Sequence, residues 1–200
     1  MINLVLASTS KYRRQILDQV FLKHTAIASD FEEKSNNRKD PYNYVKELSM
    51  GKTQSVAAKV ENSIIIGMDT VVVANDEIME KPKSVEEAKR YIKLCSNNFS
   101  RVITGITIIN QLNGQVINTY SETKVYFKEI PDEEIEFYIQ NEPYALNSSG
   151  FVIETVMSNF IKRIDGTYNN ILGAPVEVIY DYLAKWGYSL KDFQGQNTTN

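Results

Sequence analysis

The sequence predicts an α/β fold in which helices pack around a mixed β-sheet. Apolar runs typical of strands alternate along the chain with segments of helical periodicity. Two long β-rich segments flank the turn Leu112-Asn113-Gly114, and this arrangement predicts a hairpin. The chain has 200 residues, of which 42% are hydrophobic and 24% charged. That is enough for one domain with a sizeable core, or for two small lobes that share a cleft.

The individual elements follow from local patterns and capping residues. Ser10 is a helix cap, Ser84 and Glu87 form a capping box, and Asp132 caps a later helix. In chain order we predict strand 2–7, helix 11–20, a polar loop at 29–41, helix 42–58, strand 63–74, helix 85–95, strands 99–110 and 115–128, helix 133–140, strands 150–155 and 159–164, and a last helix that Pro175 opens and Gly187 closes. We expect one domain over 1–193 and a polar tail at 194–200.

Composition excludes several classes of protein. The net charge of −3 argues against a general nucleic-acid binder. The single cysteine, Cys95, excludes an intramolecular disulfide and a cysteine-based zinc site, and it suits a reducing cytoplasm. The single histidine, His24, leaves one candidate for a Ser/His/Asp triad. No apolar run approaches the ~18 residues that span a bilayer, and no signal peptide precedes Leu4, so we expect a cytoplasmic protein without membrane contact.

The stretch LVLASTSKYRRQIL places Lys11, Arg13 and Arg14 in the first turn of a helix. The helix dipole favours acidic residues there, so each cation costs about 0.3–1 kcal/mol unless an anion compensates it. Exposed N–H groups, the hydroxyls of Ser8 and Ser10 and the paired guanidinium groups would suit phosphate oxygens. The alternative is a surface helix with a solvated basic patch.

Asp69 interrupts the apolar run SIIIGMDTVVV. Apolar residues on both sides predict a strand that is covered on both faces, so this carboxylate loses its water. It then needs a metal ion, a cation or a hydrogen-bond network as a partner, and Gly67 would let a second backbone or a ligand come close. The alternative is an aspartate at the sheet's edge that binds loop amides.

A lysine takes an apolar position on the helix at 42–58. Val45, Leu48, Lys52 and Val56 are spaced 3, 4 and 4 residues apart, so they share one face. Lys52 therefore points towards the core or a cleft at its edge, unless its stem snorkels to solvent. Lys81, in EKPKS, follows the Asp69 strand.

These features together suit phosphoryl chemistry. Arginine and lysine neutralise phosphate charge, while carboxylates such as Asp69 and the loop residues Glu32 and Glu33 hold a divalent metal or activate water. The residues alone support metal-assisted chemistry on a phosphorylated ligand.

The order and spacing of several motifs resemble the Maf family of nucleoside triphosphate pyrophosphatases, from Leu4 to about Gly187. The motifs are LASTSKYRRQIL, FEEK at 31–34, GKTQSVA at 51–57, IIIGMDTVVV, EKPKSVEEA, RVITGITI at 101–108 and FIKRIDGTYNNILGAP at 160–175. The resemblance implies an elongated fold like that of inosine triphosphatases, with a cleft between two lobes. It also implies a homodimer that hydrolyses a nucleoside triphosphate to the monophosphate and pyrophosphate.

The resemblance also assigns roles to single residues. It implies that Asp69 would be the catalytic acidic residue, with Lys52 and Lys81 as further catalytic residues. The residues that bind the phosphates are Ser8, Arg13, Arg14, Lys52 and Lys81. By this resemblance Glu33 and Asp69 would hold a divalent metal, and we expect magnesium or manganese because both prefer oxygen ligands.

Three positions bear on the base that is bound. Tyr12 and Glu154 resemble the 7-methyl-GTP branch of the family, whereas Thr70 resembles the dTTP/UTP branch. A cationic 7-methylguanine would stack on Tyr12, and Glu154 could accept from its N1–H and its amine together. We therefore predict 7-methyl-GTP, with dTTP or UTP as the alternative. A low-turnover nucleotide-binding regulator of cell division and an interaction domain that binds no nucleotide are the other hypotheses.

The chain departs from the family pattern at four places. Glu80 stands beside Lys81 where the family usually has glycine, NSSGF occupies 147–151, and Lys11 replaces a proline. SRVITG, at 100–105, stands where the family has a His-x-Val stretch before Thr-Gly. These departures are compatible with weak activity or a shifted substrate.

Overall fold

A seven-stranded mixed sheet organises the fold, and helices flank it. The computed structural model describes residues 2–33, 38–142, 146 and 152–194. The strands are β1 Asn3–Leu6, β2 Thr25–Ala26, β3 Ser63–Ala74, β4 Glu77–Met79, β5 Phe99–Asn110, β6 Gln115–Phe127 and β7 Ile161–Asp165. The helices are α1 Lys11–Gln19, α2 Pro41–Ala57, α3 Val85–Cys95, α4 Asp132–Asn141, α5 Tyr168–Ile171 and α6 Val176–Lys185, with 3-10 turns at Val156–Phe160 and Leu190–Phe193.

The strand pairing confirms the predicted mixed sheet. The strand order is β2-β1-β3-β5-β6-β7, and β4 pairs with β3 outside this path. β1 runs parallel to β2 and to β3, whereas β4 is antiparallel to β3 and β7 is antiparallel to β6. β5 and β6 are neighbours joined by residues 111–114, as the hairpin pattern predicts.

The chain divides into two compact units, each built from distant segments. Unit 1 contains Met1–Thr70, Thr104–Ser121 and Asn169–Asn200, and unit 2 contains Val71–Ile103 and Glu122–Tyr168. Among the predicted site residues, Lys81 and Glu154 belong to unit 2, and all the others belong to unit 1.

In unit 1, β3 is covered on both faces, as its continuous apolar run predicts. Successive side chains of a strand point to opposite faces. Ile64, Ile66 and Met68 pack in one core with residues of α1 and α6, including Leu17 and Ile179. On the opposite face, Ile65 packs with Val5, Ala7 and Val56, the last of which belongs to α2. Residues near the centre of β3 therefore have little contact with water.

Glycine lets α2 lie unusually close to β3. A Cβ atom at Gly67 would overlap the hydroxyl of Thr53 and would lie 2.9 Å from the carbonyl oxygen of Ser49. A Cβ atom at Gly105 of β5 would overlap the carbonyl of Val45 in the same way. The predicted close approach at Gly67 is thus confirmed, and the element that approaches is α2. Its position brings Lys52 beside the strand that carries Asp69.

Replacing Gly67 with alanine should destabilise the protein by about 1–3 kcal/mol, the usual cost of overpacking a tightly packed interior. The backbone of α2 must move, because Ser49 contributes a carbonyl rather than a flexible side chain. Urea denaturation of the two proteins measures the difference. Combining Gly67→Ala with Thr53→Ala should recover part of the loss, since one of the two obstructing groups is then gone. If the double variant loses as much stability as the two single variants together, the contact between position 67 and Thr53 is not the cause of the loss.

One predicted strand is absent, and a neighbouring strand is displaced. We expected a strand at 150–155, but residues 153–155 form a turn that leads into the 3-10 turn, and 150 and 151 lie outside the described residues. The hydroxyl of Thr155 donates to the carbonyl of Val152 at 3.0 Å, and this local hydrogen bond favours a turn over an extended strand. β7 accordingly starts at Ile161 rather than at 159.

Two predicted caps differ from the structure. Asp132 is the first residue of α4, and the N-cap position is Pro131, which makes no side-chain cap. Ser84 accepts from the amide of Glu87 at 3.2 Å, as expected, but the Glu87 carboxylate accepts from Lys83 N at 2.7 Å instead of closing the box on Ser84. In the described part of the chain, no helix has the length and apolarity to span a membrane.

Candidate active site

Lys52 joins two carboxylates of unit 1. Its ammonium group lies 2.5 Å from Oδ1 of Asp69 and 2.7 Å from Oε1 of Glu33. The side chains of Lys52 and Asp69 are only 17% and 12% exposed, whereas that of Glu33 is 52% exposed. The prediction that Lys52 points inward is confirmed. Two acidic groups are therefore held within a few ångströms of one another by a shared cation.

Asp69 is a buried acid on an interior strand. β3 lies between β1 and β5 in the sheet, so the alternative of an aspartate on an edge strand does not hold. Burial raises the pKa of the Asp69 carboxyl above its ordinary value, because the ionised form loses its water. The charges of Lys52 and Arg13 oppose this rise, and the charge of Glu33 adds to it.

For Lys52, burial and the neighbouring charges have opposite effects on the pKa. Burial acts to lower the pKa of its ammonium group, but the two neighbouring carboxylates outweigh burial and the pKa is raised. Lys52 therefore stays charged at neutral pH and keeps its attraction for Asp69 and Glu33.

Arg13 approaches β3 from α1 and is held by three hydrogen bonds. Its guanidinium group donates to the carbonyl of Met68 at 2.8 Å, to the carbonyl of Gly173 at 2.9 Å and to the hydroxyl of Thr70 at 3.0 Å. Burial lowers the pKa of Arg13, and the charges of Asp69 and Glu33 counteract this. An arginine remains charged in any protein environment, so Arg13 adds a second fixed positive charge beside Asp69.

Thr70 orients Arg13 through a short chain of hydroxyl groups. Thr104 of β5 donates to the carbonyl of Asn170 at 3.5 Å, which leaves its oxygen to accept from Thr70 at 3.0 Å. Thr70 in turn accepts from Arg13. The sequence reasoning did not single out Thr104 or Gly173. Two features of the sequence could have indicated them. Thr104 is a polar residue inside the apolar strand motif RVITGITI, and Gly173 is the glycine of LGAP.

The remaining N-terminal residues surround the start of α1. Ser10 caps this helix, as predicted, by accepting from the amide of Arg13, and Ser8 accepts from the amide of Ser10 at 3.1 Å. Arg14 is exposed, in contrast to Arg13. Tyr12 is also exposed, with 55% of its surface accessible. The predicted substrate-binding roles of these residues stay predictions.

Two predicted site residues belong to unit 2. Lys81 is exposed in the segment between β4 and α3. Glu154 is exposed in the turn at 153–155, and its charge adds to burial in raising the pKa of Tyr168. The roles of Lys81 in catalysis and of Glu154 in base recognition stay predictions.

The carboxylates of the site fit a magnesium ion that shares its ligands with a substrate. Among the described residues, no group of three or more His, Cys, Asp or Glu side chains is arranged to hold a metal ion. Glu33 and Asp69 offer two carboxylates at one place. Magnesium commonly binds through one or two carboxylates together with substrate phosphates and water, so two are sufficient.

Known proteins resemble this chain along most of its length. Residues 3–186 match the family described as Maf-like protein. A protein from Thermoanaerobacter sp. (strain X514), named dTTP/UTP pyrophosphatase, is 37% identical over 183 residues, which cover 91% of this chain and 95% of that protein. A protein of the same name from Geobacillus sp. (strain WCH70) is 36% identical over 176 residues, which cover 88% and 94% of the two chains. The solved structure of the Staphylococcus aureus Ham1 protein is 16% identical, with a TM-score of 0.43 over 65% of this chain and 72% of that chain.

The extent of the family match decides the assignment. It begins at the first strand and ends just after α6, so it includes every residue of unit 1 that contributes to the Lys52 cluster. The resemblance predicted from the motifs is confirmed, and the chain belongs to the Maf family.

Proposed function

We propose that this protein hydrolyses dTTP or UTP to the nucleoside monophosphate and pyrophosphate. The observation that carries the proposal is the position of Lys52 between Glu33 and Asp69, with Arg13 fixed beside Asp69. Relatives that cover about nine tenths of the chain are named as pyrophosphatases of these two nucleotides, which supports this class of hydrolase.

The charges of the cluster imply that a divalent metal accompanies the substrate. Glu33 and Asp69 contribute two negative charges, and Lys52 and Arg13 contribute two positive charges, so the cluster is close to neutral. A triphosphate brings several negative charges and needs further cations around it. Magnesium or manganese held by Glu33 and Asp69 would neutralise phosphate oxygens and polarise the phosphorus that is attacked.

The protein's own groups supply positioning and proton transfer. Water attacks the α-phosphorus, the bond between this atom and the bridging oxygen breaks, and pyrophosphate leaves with that oxygen. Asp69 accepts the proton that the water loses, and in the free protein burial raises its pKa above that of an exposed aspartate. Lys52 holds the acidic groups in place. Arg13 uses three of its five donors within the protein, which leaves two for phosphate oxygens.

The choice of base rests on the relatives and on Thr70. Tyr12 and Glu154 favour 7-methyl-GTP, but the relatives are named as pyrophosphatases of the alternative substrates, dTTP and UTP. Thr70 resembles the residue that the dTTP/UTP branch of the family has at this position. It also fixes Arg13 by hydrogen bonding, so this position contributes to binding whichever base is preferred.

The proposal also includes the oligomeric state of the enzyme and its location in the cell. We propose a homodimer in the cytoplasm, as the family resemblance implies. The buried, unpaired thiol of Cys95 suits a reducing compartment. Sedimentation equilibrium of the purified protein decides between monomer and dimer.

A panel of nucleoside triphosphates with Mg²⁺ tests the proposal through the rate of pyrophosphate release. We expect kcat/KM for dTTP and UTP to exceed that for 7-methyl-GTP by about tenfold or more, a ratio that contacts to one base can supply. The expected products are a monophosphate and pyrophosphate in equal amounts. A preference for 7-methyl-GTP would reverse the base assignment, and release of single phosphates instead of pyrophosphate would contradict the reaction.

A further inference from the structure

We infer that Ser55 clamps residues 28–33, here called the Glu33 segment, onto α2 and thereby positions the Glu33 carboxylate at Lys52. The inference deepens the proposed function, because it assigns a positioning role to residues outside the reacting groups. All of the residues involved belong to unit 1.

Ser55 is the centre of a hydrogen-bond cluster with the Glu33 segment. Its hydroxyl donates to the Asp30 carboxylate and accepts from the Asp30 amide at 3.2 Å and from the Ser29 hydroxyl at 3.3 Å. A serine hydroxyl has one proton and two lone pairs, so every hydrogen-bonding position of Ser55 is used. Ser29 also accepts from the amide of Phe31 at 3.1 Å, which fixes the next turn of the backbone.

Lys59 extends the cluster beyond the C-terminus of α2. Its ammonium group lies 3.0 Å from Oδ2 of Asp30 and donates to the carbonyl of Ala28 at 3.4 Å. Lys52 and Ser55 are three residues apart on α2, so they lie on one face of the helix, and Lys59 follows just beyond the helix's C-cap, Ala58. The Glu33 segment passes along this face in the reverse direction, with Asp30 at Ser55 and Glu33 at Lys52.

Phe31 fills the space that Gly51 leaves on the helix. A Cβ atom at Gly51 would overlap the Phe31 ring and would lie 2.6 Å from its Cδ2 atom. Glycine in a helix interior is less stable than alanine, so its presence beside Lys52 needs a reason. The aromatic ring supplies one, because it packs against α2 at Gly51, where any side chain would overlap it.

The clamp is needed because the ion pair alone is weak. The Glu33 side chain is 52% exposed, so water screens its attraction to Lys52. A single screened ion pair must order a loop carboxylate against its own freedom of movement, whereas several contacts along the Glu33 segment share this cost, even though Asp30 is itself exposed. The hydrogen bonds from Ser55 and Lys59 lower the pKa of the Asp30 carboxyl, which shows that they favour its charged form. Ordering the backbone at Asp30 therefore reduces the entropy that Glu33 must lose to reach Lys52.

The first test of the clamp measures amide exchange in the protein without substrate. NMR of Ser55→Ala should show the amides of Asp30 and Phe31 exchanging at least about fivefold faster than in the parent protein, because one hydrogen-bond partner is gone and the segment opens locally. Asp30→Ala removes the clamp from the other side and should accelerate exchange at Phe31. The matched control is Gln54→Ala, an exposed neighbour on the same helix, which should leave both rates unchanged.

The second test is kinetic and uses Glu33→Gln as a second background. Ser55→Ala should lower kcat/KM by about fivefold in the parent protein and by less than twofold when Glu33 is already glutamine, since coupled residues are not additive. Unchanged exchange in both clamp variants would overturn the inference. An equal kinetic loss in the two backgrounds would do the same. Absence of pyrophosphate release by the parent protein would instead contradict the proposed function, while the exchange experiment would still decide whether Ser55 holds the segment.

Discussion

Replacing Asp69 with asparagine should lower kcat for pyrophosphate release by about 10³-fold, within the range that a positioned general base contributes. Asparagine has the same shape but cannot accept the proton of the attacking water at neutral pH. It also removes one of the two carboxylates that would hold the metal. The measurement is steady-state release of pyrophosphate from dTTP and UTP with saturating Mg²⁺.

The Asp69→Asn protein should fold normally. Its buried carboxylate has a raised pKa, so the ionised form is disfavoured in the native state and its loss removes a burial cost. Lys52 keeps Glu33 as a partner. The thermal midpoint should therefore change by only a few degrees, while activity is lost. Rates within threefold of the parent protein, in a variant with an unchanged midpoint, would remove Asp69 from the chemistry.

The pH dependence of activity offers a separate check on Asp69. A base must be ionised to act, so kcat/KM should fall with acidification; burial raises the pKa of Asp69 in the free protein, and a divalent metal held by Asp69 would oppose this rise. Glu33→Gln should move this acidic limb to lower pH, since the charge of Glu33 adds to the rise. Residual activity of the variant across a pH series measures the shift, and a shift to higher pH would contradict the arrangement.

Long periodic segments explain why much of the fold is predictable from the sequence. The bounds of β3, α3 and β5 agree with the predicted ranges 63–74, 85–95 and 99–110. Shorter elements carry too few residues to show a period, and the two-residue strand β2 was not predicted. At 150–155, local hydrogen bonding at Thr155 prevails over an apolar pattern that resembles a strand.

The site was predictable where a residue conflicts with its surroundings. Lys52 on an apolar helix face and Asp69 in an apolar strand both require a partner, and each is the other's partner. Arg13 and Arg14 lie on different faces of α1, because they are adjacent in the helix. Arg13 precedes the buried residues Ile16 and Leu17 by three and four positions, so it lies on their face.

The Ser55 cluster shows what the sequence does not reveal. A serine on a helix and an aspartate in a polar loop are ordinary surface residues, and nothing in their spacing indicates that they meet. Their contact depends on the path of the chain between β2 and α2, which tertiary packing determines.

Replacing Lys52 with methionine should both inactivate the protein and destabilise it by about 3 kcal/mol near pH 8, the typical cost of removing one partner of a buried ion pair. Asp69 then remains buried beside Glu33 without its closest cation, and its pKa should rise further because burial is no longer opposed by Lys52. Urea denaturation measures the loss. Lys93→Met, which breaks an exposed pair with Asp132, is the control and should cost less than about 1 kcal/mol.

The sign of the pH dependence distinguishes an unpaired acid from a simple packing defect. An acid whose pKa is raised on folding contributes stability that is fully present below its unfolded pKa and is lost as the pH rises through its folded pKa. The deficit of Lys52→Met should therefore shrink as the pH falls from about 8 towards the ordinary aspartate value of 3.8. Adding Asp69→Asn to Lys52→Met should restore much of the stability at pH 8 without restoring activity, because the buried charge is gone. A deficit that is the same at every pH, and that persists in the double variant, would mean that Lys52 stabilises the fold by packing and not by its charge.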